Sequence, residues 1–85
     1  NYPNPFNPST TIIYGLPVEA RVRVVIYNSV GQVVEVLADE NKSAGYHTTV
    51  WNAKGVSSGA YFYKITAIGI NGSTFSMVKR MLLLK

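Results

Sequence analysis

A chain that performed acid–base or metal chemistry would have to do it here with very few groups. His47 is the only histidine, cysteine is absent, and the carboxylates are Glu19, Glu35, Asp39 and Glu40. A zinc site would have to gather the one imidazole and scattered carboxylates from distant positions, so no metal is expected. A Ser-His-Asp triad can be written from the many serines, yet His47 lies within a strand-like stretch and no serine sits in a Gly-x-Ser-x-Gly elbow. Asp39-Glu40-Asn41 places oxygen donors together, but the spacing misses the Asp-x-Asp-x-Asp-Gly calcium loop, and calcium takes about six to eight oxygens. A solvated loop fits that stretch better. No catalytic residue and no cofactor are expected.

Binding chemistry is thin as well. The net charge of +4 comes from eight scattered bases, of which only Lys79 and Arg80 are adjacent. Phosphate binding needs clustered bases, so nucleic acid is not an expected partner. Asn41-Lys42-Ser43 and Asn71-Gly72-Ser73 match the glycosylation pattern, with turn propensity the simpler explanation of both. Tyr27, Tyr46 and Phe62 would offer stacking for sugars if they were exposed side by side.

What must position these groups is a set of strands. Ser58 to Ala67 alternates Tyr61, Tyr63, Ile65 and Ala67 against Phe62, Lys64 and Thr66, the two-residue period of a half-buried strand. We read it as central, with the phenol of such a tyrosine free to bury its ring and reach backbone at the sandwich edge. Further strands are predicted at Thr10–Leu16, Arg21–Tyr27, Gln32–Leu37, Tyr46–Asn52 and Ser73–Leu84. Turns fall at Asn28-Ser29-Val30-Gly31 and around Asn71-Gly72, and residues 39–45 form the longest internal loop. The expected core is Ile12, Tyr14, Val22, Val24, Ile26, Trp51, Tyr61, Tyr63 and Ile65. In the last strand the period places Lys79 among inward residues, so a bulge near Lys79-Arg80 is expected.

With 47% hydrophobic and 14% charged residues, the chain has enough apolar surface to fold. Six or seven short strands with no helical period predict an all-β, immunoglobulin-like sandwich of antiparallel strands. Ahead of it, Pro3, Pro5 and Pro8 make residues 1–9 an extended linker or arm, with Tyr2 and Phe6 as possible contacts to a domain at 10–85. The chain begins at Asn1 with neither an initiator methionine nor an apolar leader, as a fragment of a longer precursor would. No stretch approaches the roughly 20 apolar residues of a membrane helix, so membrane insertion is not expected.

Asn1-Tyr2-Pro3-Asn4-Pro5-Phe6-Asn7-Pro8-Ser9-Thr10-Thr11-Ile12, then Gly31, Ala44-Gly45, Trp51-Asn52-Ala53, Ser58-Gly59-Ala60-Tyr61-Phe62-Tyr63-Lys64 and Met81-Leu82-Leu83-Leu84-Lys85 form an end-to-end pattern. It resembles the C-terminal sorting domain of type IX secretion cargo, found in Bacteroidetes and related bacteria. That family is similar in fold to the immunoglobulin-like domain of the flagellar hook-capping protein. Two departures are Asn52, where many members carry an acidic residue, and the longer turn at residues 68–72.

The resemblance implies a non-catalytic label on a secreted or cell-surface protein. It implies recognition of the folded domain by an outer-membrane translocon after periplasmic transit. A sortase-like peptidase would then cleave near or before Asn1. Carried over by position, recognition falls on Lys79, Arg80, Leu83, Leu84 and Lys85. The alternative is a structural immunoglobulin-like module of an extracellular assembly, self-associating through unpaired edge strands. Carbohydrate binding is a lesser alternative.

Overall fold

The computed structural model describes residues 8–84. They form six strands: β1 (Ser9–Leu16), β2 (Ala20–Asn28), β3 (Val33–Lys42), β4 (Gly45–Asn52), β5 (Gly59–Gly69) and β6 (Thr74–Leu83). β1 and β4 make a two-stranded antiparallel sheet, and the others make a four-stranded sheet in the order β3-β2-β5-β6. The strand centred on Tyr63 is internal to the larger sheet, as its alternation predicts. In the lettering of immunoglobulin-like sandwiches this order matches C′-C-F-G against B-E, with neither an A nor a D strand among the described residues.

Alternation explains the core. Ile12, Tyr14, Leu16 and Trp51 descend from the smaller sheet onto Val22, Val24, Ile26, Tyr61, Tyr63, Ile65, Met81 and Leu83 of the larger one, and all are buried. Every residue of the expected core is in that set. The Trp51 and Tyr61 rings meet edge to face at 5.2 Å, and the Tyr61 hydroxyl donates to the Ser57 carbonyl at 2.6 Å. This is the tyrosine corner of immunoglobulin-like folds: the phenol ties the incoming crossover to the start of the central strand.

Two hairpins join neighbours within the larger sheet. Between β2 and β3, the Asn28 side-chain oxygen accepts from the Val30 and Gln32 amides at 3.1 and 2.9 Å, and Gly31 takes φ 87°. Between β5 and β6, Asn71 Oδ1 accepts from the Ser73 amide and hydroxyl at 3.1 and 2.6 Å, and Gly72 takes φ 82°. Both glycines occupy the left-handed region that side chains disfavour.

Three expectations need correction. Residues 39–45 are not the longest loop: β3 continues to Lys42, leaving only Ser43 and Ala44 before β4. The polar residues remain in the strand because they find partners there, with Arg21 Nη2 2.9 Å from Asp39 Oδ1 and Lys42 Nζ 2.7 Å from Glu40 Oε1. Asn41 accordingly lies in a strand opposite Arg21, not in a turn.

No bulge interrupts β6, whose pairing with β5 runs unbroken from Ile68↔Thr74 to Gly59↔Leu83. Lys79 does belong to the inner-facing series opposite Tyr63, yet it is exposed. A two-stranded sheet is too narrow to cover four strands, so inner-facing side chains along part of the outermost strand reach water. Phe75 is 39% exposed and Met77 half-buried, while Met81 and Leu83 are sealed. The bulges occur instead in β3, opposite Val24/Val25 and Ile26/Tyr27.

Candidate recognition surface

Among the described residues the C-terminal strand is an edge, hydrogen-bonded only to β5. The residues assigned to recognition by sequence do not share one face. Arg80 stands opposite Phe62 on the outer face, whereas Lys79 stands opposite Tyr63 on the inner side. Leu83 has no exposed surface and belongs to the core, while Leu82 and Leu84 are 37% and 48% exposed. Lys85 and the arm residues Tyr2 and Phe6 lie outside the described residues.

The structure does bring together groups that sequence order keeps apart. Tyr27 pairs with Phe62 and Phe62 with Arg80, forming a row across three strands of the outer face. The next row is Val36, Val25, Lys64 and Val78. Val25 is buried although it points outward, because it lies on an internal strand among longer neighbours. Between Tyr27, Phe62, Lys64, Val78 and the 28–31 turn lies an open depression of about 250 Å³. Tyr46 is elsewhere: it is 87% exposed on the smaller sheet, and its ring covers Gly15, where a Cβ would meet Cε1 at 3.0 Å. The three aromatics thus divide two and one between opposite sheets.

The remaining candidates for chemistry have structural duties. His47 donates from Nε2 to the Ser43 carbonyl at 2.7 Å and packs its ring on Tyr14 at 5.7 Å, closing the short β3–β4 link. Among the described residues no three His, Cys, Asp or Glu side chains gather as metal ligands. Burial pushes the Tyr14 and Tyr63 phenols above their ordinary pKa, Tyr14 being partly offset by nearby Lys42. The hydrogen bond between Glu40 and Lys42 lowers the pKa of the carboxyl and raises that of the ammonium. Those shifts arise from a surface ion pair and single buried phenols, not from a cluster poised for proton transfer. No described helix is long and apolar enough to cross a membrane.

No curated protein and no solved structure matches the chain. A family model does: that of the secretion system C-terminal sorting domain matches residues 1–81. Together with the six-stranded sandwich, this match means that the chain belongs to the secretion system C-terminal sorting domain family, as a type IX sorting signal of a secreted or cell-surface protein that interacts with the secretion machinery.

Proposed function

We propose that this domain works without catalysis, as a folded label that the outer-membrane translocon reads on cargo arriving in the periplasm, and that a sortase-like peptidase then acts near or before Asn1. Residues 1–9 serve as the arm between cargo and a domain spanning 10–85. The observation that carries the reading is β6, an edge strand among the described residues, anchored by buried Met81 and Leu83, that presents Arg80 and Leu82 outward and leads into exposed Leu84. An apolar edge beside bases suits strand addition to a receptor whose surface is acidic. Lys79, Arg80, Leu84 and Lys85 make the contacts in this scheme, and Leu83 holds the strand in place.

The test places residues 1–85 behind a signal peptide and reporter in a host with type IX machinery. The intact fusion should reach the cell surface, and charge reversal at Lys79, Arg80 and Lys85 should block it without unfolding the domain. An intact fusion left in the periplasm would refute the sorting assignment for this chain.

A second reading, self-association through edge strands, draws on a different observation. β1 and β4 contain no Asp, Glu, Lys, Arg or Pro and pair without a bulge, so their outer edges lack the usual guards against strand addition. Bulges and charges protect β3. Sedimentation at rising concentration tests this: a species that remains monomeric throughout would remove it.

A further inference from the structure

We propose that the outer face of the four-stranded sheet is a docking surface for an acidic protein partner, which inserts one apolar side chain into the depression beside Phe62 and places carboxylates against Lys64 and Arg80. This rests on the sorting reading and extends the contact from the edge of β6 onto the sheet face across β2, β5 and β6.

A sandwich buries one face of each sheet, and the solvent face of an antiparallel sheet is normally polar. Here Val36, Phe62, Val78 and Leu82 lie on the outer face with Tyr27, and Val36, Val78 and Leu82 are 43%, 58% and 37% exposed. The charges on this face are unevenly balanced. Arg21 and Arg23 lie 2.9 and 4.0 Å from the Asp39 carboxylate, whereas Lys64 and Arg80 make no ion pair with any described residue. Cations beside an apolar floor, in a chain of net charge +4, call for carboxylates from outside.

Size and composition indicate a protein. An open space of about 250 Å³ falls below the roughly 300–1,000 Å³ of small-molecule pockets and suits one side chain. Aromatic rings beside arginine are the composition of interface centres, where an inserted side chain excludes water from neighbouring charges. A saccharide would be better served by carboxylates and amides around the rings. Among the described residues the depression is lined by Val78 and by no carboxylate, and the Asn28 amide beside it is already engaged with Val30 and Gln32. The smaller sheet also exposes Ile13, Tyr46 and Val50, but its strands carry no Asp, Glu, Lys or Arg to select a partner.

The test uses the reporter fusion to residues 1–85 in the type IX host. Lys64→Glu changes the face from β5, outside the C-terminal strand, and Val78→Glu puts a carboxylate into the depression. Lys54→Glu, in the exposed crossover before β5, makes the same charge change elsewhere. Melts followed by Trp51 fluorescence report folding of each purified domain. The expected result is a loss of surface reporter of about 10-fold or more for Lys64→Glu and Val78→Glu, with folded fusion held in the periplasm, and export of Lys54→Glu within about twofold of the parent.

Export of both face variants at the parental level overturns the docking surface. So does equal loss with Lys54→Glu, which would show a net-charge effect. Normal export followed by shedding of the face variants also overturns it, in favour of a surface saccharide. If the parent itself is not exported, the sorting reading fails, an outcome distinct from all of these.

Discussion

Leu83→Ala separates packing from recognition in the C-terminal strand. Leu83 has no exposed surface and sits opposite Gly59 at the end of its strand. Removing a buried leucine to alanine costs about 2–5 kcal/mol, and a site at the end of an edge strand can relax, which favours the lower half of that range. A domain of 85 residues has a total stability of about 4–13 kcal/mol, so the variant loses a large share. At about 4–8 °C per kcal/mol for a domain of this size, a loss of about 2–3.5 kcal/mol should lower Tm by roughly 8–28 °C. The reporter is built in, since Trp51 is the only tryptophan and is 1% exposed. Urea unfolding followed by its emission gives the free energy directly. Leu84→Ser, at a side chain 48% exposed, should stay within about 0.5 kcal/mol of the parent. If Leu83→Ala costs less than about 1 kcal/mol, the assignment of Leu83 to the core is wrong.

Other outcomes follow from the same geometry. Tyr61→Phe removes the part-buried hydrogen bond to the Ser57 carbonyl and should cost about 0.5–1.5 kcal/mol in urea melts, since water can reach that carbonyl at exposed Ser57. Stability should fall in alkali. The Tyr14 phenol has its folded pKa above the ordinary 10.0, so its contribution is complete below that pH and is lost as pH rises through the folded value; Tyr14→Phe should flatten this part of the pH–Tm curve. Gly31→Ala meets no atom within 4 Å but must hold φ near 87°, so it should cost about 1–2 kcal/mol through backbone strain alone, measured by denaturant titration. If β1 edges mediate self-association, Thr11→Lys should lower the sedimentation coefficient at high concentration without lowering Tm.

The core was legible because each half-buried strand keeps a strict period of two: once Ile65 faces inward, so do Tyr63 and Tyr61. The corrections arise where local pattern depends on distant partners. Asp39, Glu40 and Lys42 read as loop by composition, and only the alignment of Arg21 with β3 shows what holds them extended. Lys79 follows its period faithfully; it reaches water because the opposing sheet has two strands, a property of topology that no local window contains. The outer-face surface has the same origin. Alternation places Tyr27, Phe62 and Lys64 outward, but their adjacency to Val78 and Arg80 depends on two nonlocal registers.

Pro8 and Leu83 lie at the same end of the sandwich. Ser9 is opposite Asn52, Leu83 is opposite Gly59, and residues 53–58 join those two partners, with the Ala53 amide bonded to the Pro8 carbonyl at 2.7 Å. Tension between the polypeptide before Pro8 and an attachment beyond Leu84 therefore acts across the strands instead of along them. It strains the β1–β4 and β5–β6 ladders one hydrogen-bond pair at a time, beginning at their shared end, whereas a sandwich gripped at opposite ends resists with a whole ladder in parallel. Held by both termini, this domain should open like a zipper, at lower force than a sandwich gripped at opposite ends.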